Sequence, residues 1–150
     1  MTLSSWRDQK LLIEHESSRE EISNLLALVA RDLEDSAVEQ LSADRRLGIA
    51  YNACRNLACL ALAAEGYRPG RQRSPEWAIQ SLRLTIDLEQ EKVDTLDAVR
   101  RMRHKSDYLQ AGTASRSEAE EVFRFATDLL EQVLAWMRSG HPELLDGDSG

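Results

Sequence analysis

The segment from Ala43 to Glu65, ADRRLGIAYNACRNLACLALAAE, constrains the fold more than any other part of the chain. It contains no proline and ends immediately before Gly66, while Ser42 precedes it. Serine is a preferred N-cap residue, and glycine commonly follows the end of a helix. The second half, LACLALAA, is apolar on every side, which is typical of a helix covered by several neighbours. The segment therefore predicts a central, buried helix.

Apolar residues at helical spacing predict further helices around this one. The set Ile22, Leu25, Leu26, Val29 and Leu33 forms one stripe, and Ser18 with Glu21 has the spacing of a capping box. Two further helix starts are indicated, one at Ser74-Pro75 and the other at Ser115 or Ser117. We expect short helices within 5–15 and at 75–86, and longer ones at 19–36, 43–65, 89–109 and from Ser115 or Ser117 to Gly140. The fold class predicted is all-α, an up-and-down bundle of about five helices.

The length and composition bound the organisation of the chain. Its 150 residues are 42% hydrophobic and 30% charged, which fits one globular domain. We divide it into an N-terminal helical extension at 1–18, the bundle at 19–139 and a polar tail at 140–150. The formal net charge of −7 argues against binding to DNA over the whole surface.

Cofactors, membranes and disulfides find little support in the sequence. Cys54 and Cys59 lie about 140° apart around one helix and have no metal-ligand spacing with a histidine, so we expect free thiols in a reducing compartment. The paired Glu-x-x-His motifs of a carboxylate metal bundle are absent. There is no stretch typical of a signal peptide and none of the length of a membrane span. The sequence thus predicts a cytoplasmic protein that needs no metal or cofactor and contacts no membrane.

One run of cations stands out in this acidic chain. Five carboxylates lie between Asp87 and Asp97, and then Arg100, Arg101, Arg103, His104 and Lys105 follow closely. Cations at the C-terminal end of a helix complement its dipole, which accounts for part of the pattern. Arg103, however, continues the apolar stripe of Leu96 and Val99, and an inward arginine needs an acidic partner or a wet cleft. Asp97 and Asp107 are candidate partners, so both interpretations remain open.

The second interpretation predicts a ligand site. A helix brings Arg100, Arg103, His104, Asp107 and Tyr108 onto adjoining parts of one surface. Arginine binds phosphate bidentately, and tyrosine stacks on bases or donates a hydrogen bond. If the helices at 43–65 and 89–109 are neighbours, Asn52 and Arg55 border the same cleft. The loop residues Arg68, Arg71 and Arg73 would form its rim. RNA or a nucleotide is the ligand that this site predicts.

Two segments, together with their spacing, resemble HEPN domains, the higher eukaryote and prokaryote nucleotide-binding family. They are AYNACRNLACLALAAEGYRPG and LDAVRRMRHKSDYLQAGTASRSEAEEVFRFATDLLEQVL. The resemblance covers roughly 45–137. It includes the Y-x-A opening and AEGYRP end of the first segment, the arginine-polar turn followed by a tyrosine, and a last helix rich in Glu and Ala. It implies a small helical bundle, commonly a homodimer, that belongs to a toxin–antitoxin system or accompanies a nucleotidyltransferase.

The resemblance also bears on activity. Active HEPN proteins are metal-independent ribonucleases whose motif is an arginine, a polar residue, three variable residues and a histidine. Arg103 and His104 match its start, but Tyr108 occupies the position of the catalytic histidine. Tyrosine, with a pKa of about 10, is a poor general base at neutral pH. The sequence therefore favours a non-catalytic protein that binds nucleotide or RNA. The alternatives are a ribonuclease that uses Arg103, His104 and Tyr108, and a structural or interaction protein.

Overall fold

The architecture is an all-α helical bundle with one small two-stranded sheet, which confirms the predicted fold class. The computed structural model describes the backbone of residues 1–72, 74–109, 112 and 114–145, and the side chains of these residues other than 74 and 104–109. In chain order the elements are α1 Leu3–Asp8, β1 Leu12–Glu14, α2 Arg19–Ser36, α3 Ala43–Ala64, β2 Tyr67–Pro69, α4 Ser74–Gln80, α5 Leu82–Thr85, α6 Gln90–Leu109, α7 Arg116–Gly140 and a 3-10 turn at Pro142–Leu144.

The central helix α3 is buried along most of its length. It packs against α2 and α7 on its long sides and also contacts α4, α5 and α6. Leu57, Leu60, Ala61 and Leu62 have no exposed surface. Alanines and Cys54 among these leucines keep the helix narrow, so several neighbours can approach it closely. By length and composition α3 is long and apolar enough to cross a membrane, but most of its apolar window is buried inside the bundle.

The helix starts follow from local hydrogen bonds that the sequence indicates. The Ser18 hydroxyl accepts from the Glu21 N–H at 3.1 Å, and the Ser42 hydroxyl accepts from the Arg45 N–H at 3.2 Å. At α7, Ser115 and Glu118 form a capping box, with bonds of 3.0 and 2.9 Å. These contacts satisfy N–H groups that have no partner within the first turn. The predicted starts of α2, α3 and α7 are confirmed.

Two predicted helices differ from the structure. The segment 5–15 divides into α1 and β1, and β1 pairs antiparallel with β2 in the register Leu12 to Pro69 and Glu14 to Tyr67. The predicted helix 75–86 divides into α4 and α5 at Ser81, whose buried hydroxyl donates to the Ala78 carbonyl at 2.6 Å. At 12–14 the pairing with β2 replaces the predicted helix, and at Ser81 a turn interrupts it.

The first residues of the chain pack against the bundle. Trp6 is 2% exposed and meets Trp77 of α4 edge-on, with ring centroids 5.2 Å apart. Leu12 of β1 and Leu62 of α3 complete this small cluster. Residues predicted as an N-terminal extension therefore share a core with α3 and α4.

A buried arginine joins α2, α3 and α7. Arg46, which is 3% exposed, donates to the Ser36 carbonyl at 2.8 Å and to a Glu120 carboxylate oxygen at 2.5 Å. The Arg46 guanidinium holds the pKa of Glu120 below its usual value. These bonds tie the start of α3 to the end of α2 and to the first part of α7.

Candidate functional site

Arg103 lies over the ring of Tyr51, where α6 crosses α3. The guanidinium carbon is 5.5 Å from the ring centroid, within the range of a cation–π contact. On α6 the stripe runs through the buried Val93 and Leu96 to the half-buried Val99 before it reaches Arg103. The sequence places Arg103 on this stripe, and its guanidinium is directed toward α3.

A glycine on α3 makes this close approach possible. A Cβ atom on Gly48 would lie 3.2 Å from Nε of Arg103, which is tighter than ordinary van der Waals contact. Gly48 stands one turn before Tyr51 on α3. Glycine within a helix costs up to about 1 kcal/mol relative to alanine. At this position, the missing side chain leaves the space in which Arg103 lies.

The phenol of Tyr51 is buried and lacks a hydrogen bond. Tyr51 is 3% exposed, and its hydroxyl oxygen has no hydrogen-bond partner in the described part of the chain. Burial raises the pKa of Tyr51, while the nearby charges of Arg55, Arg100 and Arg103 act in the opposite direction. The charges of three guanidinium groups therefore act on one uncharged phenol. We call Tyr51, Arg55, Arg100 and Arg103 the arginine–tyrosine cluster.

The arginines of the cluster differ in their environment. Nε of Arg100 lies 2.9 Å from Oδ1 of Asp97, and Arg100 retains 25% of its side-chain exposure. Arg101 reaches the same carboxylate at 3.4 Å but is 67% exposed and lies outside the cluster. Arg55 is exposed on α3. Asp97 is thus shared by the two arginines that follow it on α6.

Asn52 makes a contact on another side of α3. Its amide nitrogen donates to Oδ2 of Asp32 on α2 at 2.9 Å, and Asp32 is 4% exposed. Arg31 also reaches Asp32, at 3.2 Å. A buried carboxylate needs such partners. The structure thus brings Arg55, Arg100 and Arg103 around Tyr51, whereas it joins Asn52 to α2.

The remaining residues predicted for the site lie elsewhere or outside the described side chains. The side chains of His104, Asp107 and Tyr108 and all of Arg73 are outside the described residues. Arg71, predicted at the rim, instead lines a cleft beside β1 with Arg7 and Lys10. The cleft is near the C-terminal end of α3, because its lining residue Leu12 packs with Leu62, about 16 Å along the helix from Tyr51.

Sequence reasoning missed Tyr51 and Gly48 as members of the site. A glycine one turn before a tyrosine, inside a long helix, was the available signal. Recognising it requires knowing which face of α3 meets α6, because only that face places Arg103 beside both residues.

Metal chemistry has no visible site in the described side chains. Among them, no group of three or more His, Cys, Asp or Glu residues is arranged to hold a metal ion. Cys54 and Cys59 are free, and burial raises the pKa of Cys54 to about 12. A thiol that stays protonated at neutral pH is a poor nucleophile and metal ligand. The cluster's own chemistry is that of cations, an aromatic ring and one phenolic donor.

Comparison of the chain with protein-family models, with curated proteins and with solved structures finds no match. The geometry of the arginine–tyrosine cluster therefore carries the argument about function, together with the resemblance described above.

Proposed function

We propose that this chain is an HEPN-like, non-catalytic bundle that binds a phosphate-bearing ligand, RNA or a nucleotide, at the arginine–tyrosine cluster. The observation that carries the proposal is Arg103, held over Tyr51 with Arg55 and Arg100 nearby. Three guanidiniums at one place in a chain of net charge −7 favour an anionic ligand. RNA and nucleotides supply both the phosphate and a base that can stack on an aromatic or guanidinium plane.

The cluster offers complementary contacts to such a ligand. Arginine donates two parallel hydrogen bonds to phosphate, and these charge-assisted bonds are roughly twice as strong as neutral ones. The buried Tyr51 hydroxyl has no acceptor in the described structure, and a phosphate oxygen that enters when the Arg103 side chain moves aside would supply one. A buried donor without a partner costs about 1–3 kcal/mol. Ligand binding would remove that cost.

The proposal of binding without catalysis depends on the residue types. Cleavage of RNA needs a base for the 2′-hydroxyl and an acid for the leaving oxygen. Tyr108 stands where the family's histidine would be, and tyrosine ionises near pH 10. His104, the remaining candidate, is four positions earlier. The alternative of a ribonuclease rests on Arg103, His104 and Tyr108.

The direct test compares two neighbouring arginines. We expect the full-length protein to bind a fluorescein-labelled single-stranded RNA, measured by anisotropy. Arg103→Gln should weaken binding about tenfold, because it removes a charge-assisted bond. Arg101→Gln is the matched control. It removes the same charge from an exposed side chain two positions before Arg103, and it should change the affinity for RNA less than about twofold. Equal losses in both variants would contradict a specific site.

Salt dependence and cleavage separate the alternatives. Three phosphate contacts to a single strand predict a slope of about −2 for log K against log salt, and each lost arginine should reduce it by about 0.7. If the protein cleaves RNA and Arg103→Ala abolishes the cleavage, the protein is a ribonuclease and the proposal of binding without catalysis is wrong. Unchanged affinity after joint substitution of Arg55, Arg100 and Arg103 would leave a structural or interaction protein. Competition by ATP tells a nucleotide site from an RNA site.

The expected partners belong to the same proposal. A homodimer, and a nucleotidyltransferase or antitoxin as a second protein, follow from the HEPN resemblance alone. Sedimentation of the purified protein tests the homodimer. Co-purification with the product of a neighbouring gene tests the second partner.

A further inference from the structure

The cleft beside β1 has the size of a small-molecule site. Its volume is about 900 Å³, and sites for small molecules commonly measure about 300–1,000 Å³. Its lining comes from the end of α1, from β1, from the loop after β2 and from α4. None of the four residues of the arginine–tyrosine cluster lines it. The cleft is therefore a second candidate site, separate from the first.

One part of the lining is apolar. Leu11, Ile13 and Trp77 are half-buried, so each presents some apolar surface to the cleft. Leu11 and Trp77 also pack against the buried cluster around Trp6, which belongs to the core. An apolar wall that is held by the core does not have to be assembled when a ligand binds, and this lowers the entropic cost of binding.

The other part of the lining is cationic. Arg7, Lys10 and Arg71 line the cleft, against one carboxylate, that of Glu14. Arg7 donates to Glu14 at 2.9 Å and to Asp8 at 3.2 Å, so its charge is compensated within the protein. Lys10 and Arg71 are exposed, and within the described part of the chain neither has an acidic partner. Two uncompensated cations thus stand beside an apolar wall.

The backbone brings these two cations together. The Gly70 N–H donates to the Leu11 carbonyl at 2.8 Å, and a Cβ atom on Gly70 would lie 2.6 Å from the Lys10 carbonyl oxygen. The chain segments that carry Lys10 and Arg71 are therefore in direct contact. Lys10 has a φ of +65°, a left-handed conformation that suits glycine or asparagine better than lysine. Such strained residues occur preferentially at ligand sites.

We propose that the cleft beside β1 binds a small amphipathic organic acid. Its apolar body lies against Leu11, Ile13 and Trp77, and its carboxylate or phosphate group meets Lys10 and Arg71. An apolar lining with a few polar groups is the usual composition of a small-molecule site, and arginine binds either acidic group bidentately. Nothing in this proposal depends on the arginine–tyrosine cluster.

The test titrates 2-naphthoate into the intact protein and follows the backbone and indole N–H signals by NMR. We expect concentration-dependent shifts at Lys10, Leu11 and Ile13 and at the Trp77 indole. Two other compounds separate body from charge: 2-naphthamide has the same rings without the charge, and acetate has the charge without the rings. Each should bind at least about tenfold more weakly than 2-naphthoate. Equal binding of 2-naphthamide and 2-naphthoate, or no shifts at these residues, would overturn the proposal.

Charge removal tests which cations recognise the acid. Lys10→Gln combined with Arg71→Gln should weaken 2-naphthoate at least about tenfold, measured at the Trp77 indole, and leave 2-naphthamide unchanged. Arg124→Gln combined with Arg138→Gln removes the same total charge from exposed positions of α7 and is the matched control. The control should change the affinity for 2-naphthoate less than about twofold in 0.1 M salt, because distant charges are screened. Equal losses in the two double variants would contradict a site at the cleft.

RNA binding distinguishes this site from the arginine–tyrosine cluster. Lys10→Gln combined with Arg71→Gln should leave the affinity for RNA within about twofold of the unaltered protein in 0.1 M salt. If the double variant instead weakens RNA as strongly as Arg103→Gln does, the cleft is part of an RNA-binding surface and the assignment of a small organic acid is wrong. Binding of 2-naphthoate by a protein that has no affinity for RNA would contradict only the function proposed for the arginine–tyrosine cluster and would support this proposal.

Discussion

Tyr51 and Arg103 form a contact whose two halves have opposite energetic effects. The cation–π contact at 5.5 Å stabilises the protein by about 0.5–2 kcal/mol, depending on how far the pair is desolvated. The buried hydroxyl without a partner costs about 1–3 kcal/mol. The ring therefore accounts for the contact with Arg103, whereas the hydroxyl has no stabilising role in the described structure. Its role is better sought in ligand binding.

Replacement of Tyr51 by phenylalanine separates these two effects. Phenylalanine keeps a ring beneath Arg103 and removes the buried hydroxyl, so we expect the free energy of unfolding to rise by about 1 kcal/mol. RNA affinity should fall, because the phenolic donor is lost. Urea denaturation and anisotropy measure the two quantities. Tyr67→Phe, at a half-buried residue of β2, is the control and should leave both the free energy of unfolding and the affinity for RNA nearly unchanged. A clear loss of stability in Tyr51→Phe would mean that the hydroxyl has a partner in the folded protein.

Cys54 predicts how stability changes in alkaline solution. Its pKa is raised from 9.0 to about 12 by burial, so the folded protein keeps a proton that the unfolded chain releases. The stabilisation is complete below pH 9 and is lost as pH rises toward 12. Between about pH 8 and pH 10 this group should lower the free energy of unfolding by about 1.4 kcal/mol.

The variant Cys54→Ala isolates this effect from the titration of tyrosine and lysine. Its free energy of unfolding should decrease less over the same pH range, by about the contribution of one thiol. Urea denaturation at the two pH values gives the difference. The same decrease in both proteins would show that Cys54 ionises as readily in the fold as in the unfolded chain.

At the scale of elements, the site depends on how closely α6 approaches α3 at Gly48. Gly48→Ala should raise helix stability by up to about 1 kcal/mol, because alanine is the better helix former. The new Cβ atom would lie 3.2 Å from Nε of Arg103, so the Arg103 side chain has to shift by a few tenths of an ångström. We therefore expect a more stable protein that binds RNA more weakly, measured by urea denaturation and anisotropy.

Gly140 provides the matched control for this prediction. A Cβ atom on Gly140, at the end of α7, would have no atom within 4 Å, so Gly140→Ala adds the same methyl group without displacing a side chain. RNA affinity should be unchanged. If Gly48→Ala also leaves the affinity unchanged, the position of Arg103 over Tyr51 is not the one that binds the ligand.

The long helices could be predicted from the sequence because their ends are set locally. Ser18, Ser42 and Ser115 each bond an N–H three residues further on, and that information lies within one turn. The sheet could not be predicted in this way, because β1 pairs with a segment more than fifty residues later. The break between α4 and α5 lies at Ser81, which is buried, and burial depends on the tertiary packing that the local pattern does not show.

The same distinction applies to the site. The inward position of Arg103 follows from its place on the stripe of α6, which is local. Its partner Tyr51 depends on the packing of α3 against α6, which the pattern of either helix alone does not determine. Arg71 illustrates the reverse case: it is close in sequence to the end of α3 but lines the cleft beside β1. Loop arginines cannot be assigned to a site until the direction of the loop is known.

At the scale of the whole molecule, the net charge of −7 opposes the approach of RNA. This repulsion acts over the whole surface and is screened beyond about 10 Å at 0.1 M salt. Affinity must therefore come from short contacts at the arginine–tyrosine cluster. The opposing field also means that the loss of one arginine removes a large share of the attraction that remains.

The N-terminal residues and the bundle should unfold as one cooperative unit, because Trp6 is buried against Trp77 and next to Leu62 in a shared cluster. Trp6→Ala empties a site that is 2% exposed and should lower the free energy of unfolding by about 3–5 kcal/mol. Val38→Ala, at a residue 41% exposed, is the control and should change the free energy of unfolding by less than about 0.5 kcal/mol.

Urea transitions followed by circular dichroism and by tryptophan fluorescence should coincide in the unaltered protein, since two-state unfolding gives one midpoint for every probe. A separate early fluorescence transition, or a loss below about 1 kcal/mol in Trp6→Ala, would show that residues 1–18 are an independent extension that folds apart from the bundle.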